Sequence, residues 1–158
     1  MNVKTCTAVP ADAGKFVLRL ALAVGLWPHG AQKVLGWFGG SGFSDTYHAF
    51  VDKMPIWAPL AVAAILTEFL APLFLVAGVL TRLSALMMAI VMTVAMKYNI
   101  QNGYFMNWYN NQQGEGIEYQ VLFVGCALAL ILIGPGRYSV DSVVLGKFLP
   151  PQSSENDR

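Results

Sequence analysis

The sequence predicts an all-α integral membrane protein: a four-helix bundle with both termini in the cytoplasm and a short amphipathic helix near the C-terminus. The chain is 56% hydrophobic and only 12% charged, about half the charged fraction of a soluble domain. Four segments approach the roughly 20 apolar residues that a membrane helix needs. A chain of 158 residues predicts one domain, and one domain of this size could not bury four such helices without lipid.

The predicted membrane spans follow one another along most of the chain. They cover about 16–38, 57–80, 83–100 and 117–133. With the terminal helix they form a membrane domain over 15–148, between an N-terminal tail (1–14) and a flexible polar tail (149–158). Cleavage of the first span as a signal peptide is disfavoured, because the residues after Trp27 contain no small-x-small site.

Basic residues near the span ends predict the orientation, since Lys and Arg accumulate on the cytoplasmic side. Seven of them lie in the N-terminal part, the 80–83 turn and the C-terminal part, against three on the opposite side: Lys33, Lys53 and Lys97. The chain is therefore expected to cross the inner membrane of a bacterial-type cell several times. In the turn between the second and third spans, Thr81 is the predicted N-cap of the third helix.

Two further segments are expected at the membrane surfaces. The outward loop 101–116 contains four aromatic residues among asparagines, which favours an interfacial belt over a platform for a ligand. A Gly-rich outward loop is predicted over 39–56. On the cytoplasmic side, Val140, Val143 and Val144 recur at helical spacing and predict the amphipathic helix.

Glu68 is an ionisable residue in the middle of the second span. An exposed carboxylate at the bilayer centre would cost about 2.5–3.5 kcal/mol, so we expect it to face the bundle. Ala61, Ala64 and Ala71 lie on the same face and would allow another helix to approach closely. Pro72 has no N–H, so the carbonyl of Glu68 also loses its partner in the helix.

The first span contains the predicted partners of Glu68. His29, Gln32 and Lys33 share one helix face, at positions i, i+3 and i+4. Counted from the outer ends of the spans, His29 and Glu68 differ in depth by only about 3 Å. We therefore predict one polar cluster of Glu68 and His29 with Lys33 above them, which either handles protons or only ties two helices together.

Other polar residues are expected near the two membrane surfaces. Lys97 closes the third span and Glu118 opens the fourth, so antiparallel packing would bring them to similar depth. An ion pair between them is the favoured interpretation, because water is near. Arg19, Arg82 and Asp141 predict a comparable network, together with Arg137, on the cytoplasmic side.

Several kinds of site are not indicated. The net charge is +1 and no basic run alternates with aromatics, so the sequence does not predict nucleic-acid binding. There is no CxxCH, iron–sulfur pattern, GxGxxG or P-loop, and the cysteines, Cys6 and Cys126, lie far apart, so no metal or covalently bound cofactor is predicted. A diffusible quinone remains a candidate ligand, because it needs only a cleft with a few donors and a group that handles protons.

The order of these residues resembles the DoxX family of small four-helix membrane proteins, over roughly 15–146. The resemblance depends on the following residues in sequence order: Arg19, His29-Gly30, Lys33, Glu68, Gly78, Thr81-Arg82, Glu118 and the stretch GPGRYSVD at 134–141. The family takes its name from a subunit of a thiosulfate:quinone oxidoreductase. The resemblance thus implies an association with membrane redox systems and gives importance to the matched charged residues.

These observations lead to one functional hypothesis and one alternative. The hypothesis is a membrane subunit of a quinone-linked oxidoreductase with an intramembrane polar pocket, in which Glu68 and His29 relay protons. The other predicted binding residues are Lys33, Gln32, Arg19, Lys97 and Glu118. Expected partners are lipid and a redox subunit, with a homo-oligomer as a further option. The alternative is a non-catalytic scaffold or assembly factor; a small-molecule conduit is disfavoured because four helices enclose little lumen.

Overall fold

The computed structural model describes residues 3–148, and the predicted tail at 149–158 lies outside the described residues. The described chain is helical and contains no strand, so the all-α prediction is confirmed. The α-helices are α1 (Val3–Leu35), α2 (Gly42–His48), α3 (Ala58–Ala77), α4 (Thr81–Asn99), α5 (Glu118–Ile133) and α6 (Val140–Phe148). Two 3₁₀ turns (Trp37–Gly39 and Ile100–Asn102) and a π-helical turn (Ala49–Lys53) lie between them.

Two helical segments are long and apolar enough to cross a membrane, Ala58–Ala77 and Thr81–Asn102. They correspond to the second and third predicted spans. The helix of the fourth predicted span, α5, is also apolar but has only 16 residues. The helix of the first, α1, has 33 residues but contains Arg19, His29 and Lys33, which lower its hydropathy.

The first helix begins and ends earlier than the sequence suggests. It begins at Val3, so 3–14 continues the helix where an N-terminal tail was expected. Ala11 and Ala13 have high helix propensity and favour this extension. The helix ends at Leu35 because Gly36 adopts φ 70°, a left-handed conformation that only glycine adopts without strain.

The connection between α1 and α3 is folded, although its glycines suggested a loop. It contains α2 and the π-helical turn, and α2 packs against both α1 and α3. Gly40 allows the chain to return over the end of α1, because a Cβ there would overlap the backbone of Gln32. This connection therefore covers one end of the bundle.

The bundle is arranged around α3 and α4. Helix α3 packs between α1 and α4, and α5 packs against α4 and touches α1. Leu26, Leu75, Met88 and Leu130 are fully buried at the centre, one from each of the long helices. The outward surface is also apolar, since Leu132 is 79% exposed, and such a surface suits lipid rather than water.

A distant carboxylate caps the N-terminus of α4. The two oxygens of Asp141 accept hydrogen bonds from the backbone N–H groups of Leu80 and Thr81, both at 2.8 Å. The prediction that Thr81 caps α4 is therefore wrong. Thr81 is the first residue inside the helix, and its buried hydroxyl has no partner among the described residues.

Candidate functional site

Helices α1 and α3 cross in direct backbone contact at Gly30 and Glu68. A Cβ at Gly30 would overlap the carbonyl group of Glu68 and lie 2.6 Å from the Cα of Phe69. A hydrogen takes the place of that Cβ and points at the Glu68 carbonyl, the acceptor that Pro72 leaves without an N–H partner. A weak Cα–H···O contact thus replaces part of the lost bond.

This close crossing brings Lys33 to Glu68. The Lys33 ammonium donates a hydrogen bond to the Glu68 carboxylate, and the two form an ion pair. The Glu68 side chain is 5% exposed and that of Lys33 is 27% exposed. A charge this buried needs an opposite charge with good hydrogen-bond geometry, and Lys33 meets that need for Glu68.

His29 does not join the predicted cluster. It is exposed, and among the described residues it forms no hydrogen bond with Glu68. Its ring lies 6.4 Å from that of Tyr119 on α5. His29 and Lys33 share one side of α1, about 40° apart at 3.6 residues per turn, and only the longer lysine side chain reaches the carboxylate.

Tyr119 is a part of this region that the sequence analysis missed. Its hydroxyl donates a hydrogen bond of 2.8 Å to the carbonyl of Gly25 on α1, and its ring packs 5.8 Å from that of Phe123. Gly25 leaves room for the hydroxyl, since a Cβ there would lie 3.0 Å from it. The sequence signal was an aromatic residue with a polar end beside Glu118, at the start of an apolar helix.

A cavity of about 400 Å³ lies between α3 and α4, and Lys33 and Glu68 both line it. The polar pocket that the sequence suggested is in fact an apolar cavity with a few polar groups. Those groups belong to Lys33, Thr67, Glu68, Tyr98 and Asn99. This composition is typical of sites for small apolar ligands, in which a few polar groups fix the orientation.

The segment after α2 covers one end of the cavity. Phe50, Met54 and Ile56 line it there. The Tyr98 hydroxyl holds this segment by donating a hydrogen bond of 2.7 Å to the Met54 carbonyl. The Lys33 ammonium lies 5.8 Å from the centre of the Phe50 ring, a favourable position for a cation over an aromatic face.

The predicted pair of Lys97 and Glu118 does not form in the described structure. Lys97 is exposed, and Glu118 instead accepts a hydrogen bond from the backbone N–H of Met106 at 3.2 Å. The loop before α5 folds back on that helix, as the bond from the Glu118 N–H to the Tyr104 carbonyl also indicates. The Glu118 carboxylate therefore stabilises the loop before α5 instead of pairing with Lys97.

Gln32 and Arg19 lie away from the ion pair. The Gln32 amide donates to the Phe38 carbonyl at 3.2 Å and closes the end of α1. Arg19 is fully buried near the other end of the bundle, where it donates to the carbonyls of Pro135 and Tyr138 at 2.9 and 2.6 Å. The predicted cytoplasmic network thus consists of charged groups bonded to backbone: Arg19 to carbonyls and Asp141 to N–H groups.

The loop before α5 presents a second candidate surface. Trp108 and Tyr109 are 76% and 88% exposed. The loop is nonetheless ordered by hydrogen bonds, among them two between Asn107 and Gln112 at 3.1 Å. The aromatic residues are thus held outward on a preformed loop.

A family model described as DoxX matches residues 14–105, which include Lys33 and Glu68 but not Glu118. A protein of Haemophilus influenzae (strain Rd), described as an uncharacterized protein, is 31% identical over 136 residues, or 81% of this chain and 81% of the relative. No solved structure gives a significant match.

Proposed function

The chain belongs to the DoxX family of membrane proteins, and on that premise we propose that it binds a membrane quinone as a subunit of a quinone-linked oxidoreductase. The observation that carries the proposal is the ion pair of Lys33 and Glu68 on the wall of a mostly apolar cavity. Apolar walls favour a lipid-soluble ligand, and the ammonium offers a donor to a carbonyl oxygen.

We also propose how the helices of the chain are arranged in the membrane. The chain would cross the inner membrane four times, through α1, α3, α4 and α5, with both termini in the cytoplasm. The basic residues near the helix ends support this orientation. Helix α6 would then lie at the cytoplasmic surface, and Lys33 and Glu68 would lie in the outer half of the bilayer.

The residues of the cavity suit proton-coupled chemistry. A bound quinone would accept two electrons and two protons to become a quinol. Lys33 would donate a hydrogen bond to a ring oxygen, and Glu68 would pass protons to and from the bound ring. Electrons would come from a partner subunit. A relay through His29 would need a further group between it and Glu68, since the two are not hydrogen-bonded.

The exchange Glu68→Gln tests the proposed function. It keeps the shape of the side chain but removes its capacity to release and accept protons. In membranes that contain the assembled complex, we expect quinone-dependent turnover to fall about 10²–10⁴-fold, the usual contribution of an acid–base group. Glu118→Gln is the matched control, because that carboxylate binds only loop backbone. Equal turnover of the two variants, with normal assembly, would disprove the role of Glu68.

A scaffold or assembly role is the second candidate, favoured by the exposed Trp108 and Tyr109 on their ordered loop. Aromatic residues are enriched at protein interfaces. Replacing both with serine should abolish co-purification of a partner if this loop docks it, while quinone binding should persist. Deleting the C-terminal part would be a poorer test, because it also removes Asp141 from the α4 cap.

A further inference from the structure

The cavity opens through the face of the bundle between α3 and α4. Leu60, Ile90 and Val94 line the cavity and are also 58%, 49% and 44% exposed. A residue that lines a cavity and is exposed to the surroundings belongs to its rim. This rim faces sideways from the two helices that are long and apolar enough to cross a membrane, so it meets lipid rather than water.

The outer end of the cavity is covered rather than open. Met54 and Ile56 lie over it, and the bond from Tyr98 to Met54 holds that cover in place. At the inner end α3 and α4 converge on the turn at Gly78–Leu80, where Leu75 and Ala85 are fully buried. With both ends of the cavity closed, its opening is the lateral rim between α3 and α4.

The volume sets the size of the enclosed part of a ligand. A cavity of about 400 Å³ accommodates roughly a dozen water-sized groups, at about 30 Å³ each. That is enough for a substituted six-membered ring at Lys33 and Glu68. A long hydrocarbon chain exceeds the remaining space, so it must leave the cavity.

We propose that the ligand is a ring headgroup with a long hydrocarbon tail, and that the tail passes between α3 and α4 into the bilayer. This inference rests on the proposed function and specifies its ligand class. Ala63 and Ala95 face the cavity from the two helices, and their methyl side chains leave the passage wide. The tail gains by remaining in hydrocarbon, while the ring reaches the ion pair.

Substitution of the rim tests this passage. The purified protein is placed in nanodiscs of phosphatidylethanolamine and phosphatidylglycerol. Two probes are compared: a dimethoxy-methyl-benzoquinone without a tail, and the same ring with a long isoprenoid tail. Ala63→Trp should weaken binding of the tailed quinone at least tenfold more than binding of the bare ring. Ala129→Trp is the matched control, because Ala129 is exposed on α5 away from the cavity.

The outcomes separate the two proposals. If Ala63→Trp weakens both probes equally, or neither, the tail does not pass this rim and the inference is wrong. If the wild-type protein binds neither probe, quinone binding itself fails, and the inference fails with it. Val94→Trp, on the opposite helix, repeats the test should the first variant not give a single symmetric elution peak.

Discussion

Among single residues, Gly30 has the largest effect on the site, because its lack of a side chain decides where the Glu68 side chain lies. Gly30 lets the backbones of α1 and α3 touch, and Lys33, one turn later, then meets the carboxylate. The same contact places the Cα–H of Gly30 against the Glu68 carbonyl, which Pro72 leaves without an N–H partner. Glu68 is therefore tolerated inside the bundle through two neighbours on α1.

The exchange Gly30→Ala should destabilise the fold. Its Cβ would overlap the Glu68 backbone, and overpacking of this kind costs about 1–3 kcal/mol in free energy of unfolding. Thermal or denaturant unfolding in detergent micelles measures it. Gly125→Ala is the control, since nothing lies within 4 Å of its Cβ position, and it should be neutral or slightly stabilising. Equal stability of the two variants would contradict the backbone contact.

Lys33→Met should also reduce stability, because it leaves a buried carboxylate without its counter-charge. We expect a loss of about 1–3 kcal/mol, with Lys97→Met as the control on an exposed lysine. Adding Glu68→Gln to Lys33→Met should recover part of the loss, as a double-mutant cycle would measure. Strictly additive effects would mean that the two side chains do not interact.

At the scale of the helices, the structure depends on contacts between segments far apart in sequence. Helix α6 supplies the cap of α4 through Asp141, and Arg19 of α1 binds the chain just before α6. Gly78 makes room at this junction, since a Cβ there would lie 2.6 Å from a nitrogen of Arg19. The turn between α3 and α4 is thus held by both ends of the membrane domain.

Asp141→Ala should weaken the N-terminus of α4. Loss of a carboxylate cap costs about 0.5–2 kcal/mol, and hydrogen exchange should accelerate first at the amides of Leu80 and Thr81. Asp45→Ala is the comparison, because Asp45 is exposed. Unchanged exchange at both amides would show that the cap does not contribute.

For the whole molecule, the question is how the bundle sits in the bilayer. The cavity with its ion pair lies toward the end covered by α2, while Arg19 and Asp141 lie toward the other. The proposed orientation puts the first end outside and the second in the cytoplasm. A ligand would then reach Lys33 and Glu68 from the outer half of the membrane.

Single cysteines test this orientation. With Cys6 and Cys126 replaced by serine, Asp52→Cys and Tyr109→Cys should react with an impermeant maleimide in intact spheroplasts. Arg137→Cys should react only after lysis. All three positions are exposed, so labelling depends on the side of the membrane. Reaction at position 137 in intact cells would reverse the orientation.

The candidate site was only partly predictable. Glu68 and Lys33 could be paired because helical spacing and depth fix which ionisable residues can meet inside lipid. His29 fits the same spacing, but side-chain length excludes it from contact with Glu68. The cavity could not be predicted, because its walls come from α3, α4 and the folded segment after α2, whose distances no local pattern encodes.

The sequence by itself determined the helical class, the two membrane-length apolar helices and the need for an inward-facing partner of Glu68. Periodicity and composition are local properties, and the cost of a charge in lipid depends only on where the charge lies. The tertiary structure decided which partner met Glu68, that Asp141 rather than Thr81 capped α4, and that Tyr119 joined α5 to α1. Those contacts depend on how the helices cross, and glycines at the points of closest approach permit the crossing: a Cβ at Gly30 would overlap the Glu68 carbonyl oxygen.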